Sequence, residues 1–356
     1  MTAQADTVTP ELGTRDDFLH SLPFRFRASY RLVWFALGVL LLACALTGPD
    51  VFHEASIRIA TGLAGVLALA SAGQALVIIG GGIDLSVPAI MTLCAGIVVK
   101  QTQGEDSALV TAVMEAILVG GLLGLVNGLL VSLLRISALI VTLAMTGIIT
   151  GATLVWAGVS FSPTGKVPPT LSDLGGAHLG PVSTIGIASF VLLGVLAWLL
   201  RHTRLGWTYV AVGTNKVAAD IIGVRVRRYE IAGYAVAGVM YAVAGITLGC
   251  IIVNPDYSLG GSYQLETIIA VALGGAALAG GPASLLCTGA ACLFLAVLDQ
   301  YLAVRGFTAG VNQVANGVVL LVSVAVVSMA STGRLHIGDF TQVATRRLRG
   351  GRRPGQ

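Results

Sequence analysis

Few side chains in this sequence could do chemistry. The most isolated is Asp84, set in Gly80-Gly81-Gly82-Ile83-Asp84-Leu85-Ser86-Val87-Pro88 between two apolar runs. A carboxylate beside an apolar run is costly unless it is paired, hydrated or placed at a helix end. Two roles fit it. Ser86 can cap the helix that follows, with Asp84 favouring its positive end. Alternatively, Asp84 takes a direct part in the passage or gating of a solute. Glu115, Glu266 and Asp299 lie near the predicted outer edges of apolar segments and read as solvated interface residues. Glu266, with Gln264, begins the run that leads into a second glycine break, so it is a candidate to line an outer vestibule. Asp299 can pair loosely with Arg305.

Bond-making constellations are missing. Gly165-Lys166 is followed by Val167 and is not a phosphate loop, and there is no His-Glu-x-x-His and no Gly-x-Ser-x-Gly. His20, His53, His178, His202 and His336 are scattered. Neither a catalytic nor a metal site is expected, and an intramembrane enzyme has nothing to stand on. Cys44, Cys94, Cys250, Cys287 and Cys292 sit in apolar segments without a Cys-x-x-Cys and read as small buried hydrophobes.

The elements that must position these residues are membrane helices. Hydrophobic residues make up 55% of the 356 and charged residues 11%, against roughly 25% charged in soluble domains. Apolar runs predict ten spans in an all-α bundle: about 32–47, two within 57–100, 109–132, 137–158, 183–200, 230–253, 266–280, 283–304 and 311–330. Residues 1–30 form a polar, then basic tail and no cleavable signal peptide. Residues 31–330 form the transmembrane domain, and 331–356 form a basic tail that reads as a topology and lipid signal, not a nucleic-acid site. With both ends in the cytoplasm, 17 of the 21 Lys and Arg residues fall inside and only Arg58, Lys100, Lys166 and Arg305 outside, which favours this orientation over its inverse. Glycine ladders at Gly120/Gly124/Gly128, Gly147/Gly151 and Gly245/Gly249 predict close helix contacts.

Two features organise the bundle. Gly81-Gly82-Ile83-Asp84-Leu85-Ser86 can be laid over Gly274-Gly275-Ala276-Ala277-Leu278-Ala279, and each break adjoins a run too short for an ordinary span. Paired short, glycine-interrupted segments point to a transporter's central pathway, here Gly81, Gly82, Asp84, Ser86, Glu266, Gly274 and Gly275. Such a break either dips into the membrane or turns in the cytoplasm. The second feature is the basic cytoplasmic stretch 201–230. In it Thr214 or Asn215 can cap a helix of about two turns that Gly223 ends. Val217, Ala218, Ile221 and Ile222 fall on one side of that helix. It is too short to be stable alone and must lean on the membrane domain or on a partner.

In these residues the chain resembles the membrane permeases of bacterial ABC importers for monosaccharides. These are the ribose, xylose, galactofuranose and autoinducer-2 type, in a superfamily that also holds branched-chain amino-acid permeases. The resemblance rests on Gly81-Gly82-Ile83-Asp84-Leu85-Ser86-Val87, Ala138-Leu139-Ile140-Val141-Thr142-Leu143-Ala144-Met145 and His202-Thr203-Arg204-Leu205-Gly206. It also rests on Gly213-x-Asn215-x-x-Ala218-Ala219 with Gly223-Val224-x-Val226, and on Leu273-Gly274-Gly275 through Leu278-Ala279-Gly280-Gly281. It implies a type II importer-like permease in the bacterial inner membrane, paired with a second copy or a paralogue. External binding protein would deliver a sugar or sugar-like molecule. Separate ATPase subunits would hold the ATP and Mg and contact His202, Thr203, Arg204, Gly206, Gly213, Asn215, Ala218, Ala219 and Gly223. The chain departs from the usual family pattern at Pro88, Ala276, Ala277, Gln264 to Glu266 and Trp207. A transporter that works alone is the rival reading; it needs a buried ion site, to which only Asp84 would bring charge.

Overall fold

A computed structural model describes residues 28–157, 166–252 and 254–331. Most of the two expected tails lies outside these residues, including Arg15, Arg25, Arg27 and the basic positions from Arg334 to Arg353. The described chain is almost entirely helical. In order it runs α1 (Ala28–Thr47), α2 (Glu54–Ile79), α3 (Val87–Thr102), α4 (Leu109–Leu134), α5 (Ala138–Ala157), α6 (Pro169–Gly176), α7 (Thr184–His202), α8 (Arg204–Thr214), α9 (Lys216–Ile221), α10 (Val226–Ile252), α11 (Tyr263–Leu273), α12 (Leu285–Val304) and α13 (Ala309–Ser331). A two-stranded antiparallel ribbon, His178–Leu179 with Val182–Ser183, interrupts the loop before α7.

Ten of these helices fall on the ten predicted apolar runs. Eight are long and apolar enough to cross a membrane, while α3 and α11 are shorter. The run expected over 266–280 is corrected here: its helix spans Tyr263–Leu273, and residues 274–284 are not helical. Helix α2 is apolar all round and almost wholly buried, so it forms the axis of the bundle. Helices α7, α10, α11 and α12 pack on it, α3 packs instead on α10, α4 and α5, and α1, α4, α5 and α13 lie further out with broad exposed apolar faces.

The glycine ladders divide. Gly120, Gly124 and Gly128 of α4 press on the α10 backbone at Ile231, Tyr234 and Gly238, where a Cβ on Gly124 would come within 2.2 Å of the Tyr234 carbonyl oxygen. Gly245 of α10 sits against Met91 of α3. Gly147 and Gly151 have nothing within 4 Å, so that expected contact is not made within the described residues.

Candidate translocation and coupling site

The two glycine breaks are built the same way, one residue out of register with their sequence alignment. Helix α2 ends at Gly80; Gly81 takes φ +82°, and the Gly81 and Gly82 N–H groups donate back to Ile78 and Val77. Helix α11 ends at Gly274; Gly275 takes φ +89°, and Gly275 and Ala276 donate back to Ala272 and Val271. Both are Schellman caps, in which the left-handed residue following the cap satisfies the last carbonyls, and glycine holds that conformation without strain. Gly81 therefore matches Gly275, where the sequence alone pairs it with Gly274.

After the cap the first break turns back into the bundle. Leu85 N–H donates to Thr142 Oγ1 at 3.0 Å, and Thr146 Oγ1 lies 2.8 Å from the Leu85 carbonyl oxygen. Thr146 is two turns inside α5, or roughly 12 Å from its start, so residues 82–86 lie within the helix packing. Asp84 and Ser86 are fully buried. The expectation that the Ser86 hydroxyl caps α3 is corrected: its side chain makes no cap bond. Instead Asp84 Oδ1 accepts from both the Ser86 N–H (2.8 Å) and the Ser86 hydroxyl (2.6 Å), and Asn127 Nδ2 of α4 donates to Ser86 Oγ at 2.9 Å. The carboxylate thus closes a tight turn just before α3, and a buried amide ties that turn to α4. Removing the carboxylate would orphan two buried donors, the Ser86 N–H and hydroxyl.

The second break stays at the bundle end and meets the basic stretch there. Gly281 N–H donates to the Ile79 carbonyl oxygen, the last residue of α2, at 3.1 Å. A Cβ on Gly280 would lie 3.0 Å from both the Gly213 carbonyl oxygen and Gly81 Cα. A Cβ on Gly213 would lie 1.9 Å from the Ile79 carbonyl oxygen, so only glycine lets α8 approach the end of α2 this closely. The tertiary structure therefore gathers Gly81, Gly213, Gly280 and Gly281 at one point. Glu266 is not part of it. It stands in the first turn of α11, near Asp299, eight positions before Gly274, a rise of about 12 Å. Asp299 does not pair with Arg305, which donates to the Thr47 carbonyl oxygen; it faces two amides of α13, Asn312 and Asn316, the latter at 3.5 Å.

The basic stretch is a helical hairpin. His202 closes α7, stacked on Trp198. Thr203 Oγ1 accepts from Gly206 N–H and caps α8, which begins at Arg204. Gly206 lies directly on the Leu200 backbone. Asn215 Oδ1 accepts from Ala218 N–H at 2.9 Å and caps α9, as its position in the sequence predicts. Gly223, at φ +85°, follows the end of α9. Ala219 is buried, whereas Val217, Ile221 and Ile222 are 70%, 79% and 77% exposed. The apolar side of α9 therefore points away from the rest of the described chain.

Two side-chain contacts tie the hairpin to α2 and α10 beside the first break. Tyr209 donates its hydroxyl to the Leu76 carbonyl oxygen of α2 at 2.6 Å. Burial, with the nearby Glu230 charge, pushes its phenol above the ordinary value and keeps it a neutral donor. Lys216 Nζ pairs with Glu230 of α10 at 2.6 Å and lies beside Gly81. Between the hairpin, the first break and the α4–α5 turn opens a groove of about 1180 Å³, with Gly82, Arg135, Lys216, Arg225 and Tyr234 among its walls.

Residues 56–327 match the family described as branched-chain amino acid transport system / permease component. The chain belongs to that family. The permease is 32% identical over 297 residues to the ribose import permease protein of Escherichia coli strain K12, covering 82% of this chain and 91% of the relative. It is 34% identical over 256 residues to the autoinducer 2 import system permease protein of Enterobacter sp. strain 638, covering 72% and 74%. No solved structure matches it.

No motif marks Asn127, Thr146, Tyr209, Glu230 or Tyr234, which build this candidate site; Thr142 is marked only through its motif and Lys216 only as part of the basic stretch. A polar residue inside an apolar run, as Asn127 is, was a usable signal. Lys216 and Glu230 are 14 positions apart, and nothing local pairs them.

Proposed function

We propose that this chain is the membrane subunit of an ATP-driven importer for a neutral sugar-like solute in a bacterial inner membrane. It performs no bond chemistry. ATPase subunits, carrying ATP and Mg, dock on the α8–α9 hairpin through His202 to Gly223. A second permease copy or paralogue completes the pathway, and an external binding protein delivers the solute. The names of the ribose and autoinducer 2 relatives support the solute class.

The observation that carries the coupling role is the direct packing of the hairpin on both glycine breaks, with Gly213 against Ile79 and Gly280. The uncovered Val217, Ile221 and Ile222 supply the docking face. Burying each is worth about 1.5–3 kcal/mol, enough to hold a partner against which α9 becomes stable. A movement of α9 would pull on Lys216 and so on Gly81 and Glu230, displacing the Ile83–Ser86 segment relative to α5. The hairpin thereby drives alternating access.

The test uses cells carrying this chain co-expressed with an ATPase and a sugar-binding protein of this importer class. Uptake of radiolabelled ribose, xylose, galactose and erythritol is measured for the wild type and for Ile221→Asp with Ile222→Asp. At equal membrane abundance, the variant is expected to lose both uptake and ATPase co-purification. Uptake that survives in it sinks the coupling role and favours a transporter that works alone.

A further inference from the structure

A second cavity, of about 150 Å³, lies beyond the Ile83–Ser86 segment, in which Asp84 and Ser86 are buried, between the start of α3, one face of α5 and the 254–262 loop. Pro88, Thr92, Thr146, Thr150, Thr153 and Tyr257 are on its walls. Four are threonines, three of them on α5 at positions 146, 150 and 153, which share one helix face. Their hydrogen bonding leaves a definite set of free valences. Thr146 and Thr153 spend their hydrogens on backbone carbonyls, at Leu85 or Thr142 and at Ile149, and keep lone pairs to accept with. Thr92, only 7% exposed, accepts from Gly260 N–H at 3.1 Å and keeps its own hydrogen to donate. Thr150 hydroxyl is unpartnered among the described residues. The space therefore offers donors at Thr92 and at the exposed Thr150 and acceptors at Thr146 and Thr153, and no charged side chain lines it among the described residues.

That chemistry separates the solute classes the family name leaves together. An amino-acid zwitterion entering this space would shed water from two charges with no counter-charge to meet them, at a cost of several kcal/mol. A purely apolar solute would strand the hydroxyls. A small polyol presents neutral donors and acceptors on most of its carbons and meets the threonines in kind. Neutral hydroxyl pairs are individually weak, which suits a site that a solute must also leave. The volume of about 150 Å³ matches about five waters or one small polyol.

We propose that this threonine-lined cavity is a transit site for a neutral polyhydroxylated solute, with Thr92 and Thr150 donating to it and Thr146 and Thr153 accepting from it. The site rests on the importer reading for its purpose, and the Ile83–Ser86 segment separates it from the groove at the hairpin end.

All five native cysteines are buried, so one introduced thiol can be read against a quiet background. The experiment uses the full chain in lipid nanodiscs and a negatively charged methanethiosulfonate reagent. Thr150→Cys is compared with Val155→Cys, whose native side chain is 87% exposed on the apolar outer surface of α5. Labelling of Thr150→Cys at least tenfold faster than Val155→Cys, slowed at least threefold by 100 mM ribose or erythritol and not by leucine, supports the site. Equal rates overturn it, because position 150 then faces lipid or is covered. Fast labelling that leucine alone slows overturns the solute class. Fast labelling slowed by none of the three leaves only a water-filled space and also overturns the proposal. Thr92→Cys, on the opposite wall, must give the same protection pattern. Failure of the importer reading would appear instead as uptake independent of the hairpin, with this labelling pattern unchanged.

Discussion

Replacing Gly213 by alanine adds one methyl group at the point where the hairpin meets both glycine breaks. The new Cβ would lie 1.9 Å from the Ile79 carbonyl oxygen, and such contacts essentially never fall below 3.0 Å. Moving the contact from 1.9 to 3.0 Å requires a separation of 1.1 Å between two backbones, neither of which has a flexible side chain to yield. Relief through Gly280 is blocked, because its own position is set by the Gly213 carbonyl oxygen and Gly81 Cα. Overpacking of this kind costs about 1–3 kcal/mol. If that energy falls on the coupling between hairpin and breaks, it corresponds to a loss of roughly 5- to 150-fold. The assay is initial-rate uptake of the sugar that the wild type carries, normalised to membrane abundance, alongside ATPase co-purification. Expected is a fall of at least fivefold with the ATPase still bound, since the exposed face of α9 is untouched. Gly151→Ala, with nothing within 4 Å of its added methyl, serves as the matched control. Wild-type uptake in Gly213→Ala would refute the argument that hairpin and breaks move as one body.

Three further outcomes are expected. Asp84→Ala strands the two Ser86 donors and should lower the melting temperature of the detergent-solubilised protein by several degrees, by about 1–3 kcal/mol; Asp84→Asn, which keeps an acceptor, should lose less. Lys216→Glu and Glu230→Lys should each depress uptake, and the double exchange should restore most of it, with a coupling energy of no more than about 1 kcal/mol because the lysine is half exposed. The wild-type protein should resist a charged thiol reagent until denatured, after which all five cysteines react; labelling of the folded protein would contradict the packing around α1, α3, α10 and α12.

By itself, the sequence determined what depends on local order. Apolar runs of spanning length placed the helices, because in lipid the backbone must bond within the segment. Asn215 and Gly223 marked the ends of α9, since a cap and a left-handed turn are decided by neighbouring atoms. Paired glycines marked both breaks for the same reason. The quoted motifs carried the family, and with it the permease role. What lay beyond was decided by side chains distant in sequence. Ser86 looked like a helix cap and proved to be a donor to Asp84, because Asn127 of α4, 41 positions away, takes its oxygen. The register between the breaks slipped by one, because the Schellman turn follows backbone conformation and not the identity of the next glycine. Gly147 and Gly151 carried the same pattern as Gly120 and Gly124, yet only the latter met another helix, since spacing names a face and cannot name its neighbour. The first break enters the bundle and the second stays at its end for a reason no local signal holds. Leu85 finds Thr142 and Thr146 on α5, while Gly281 finds Ile79 at the end of α2.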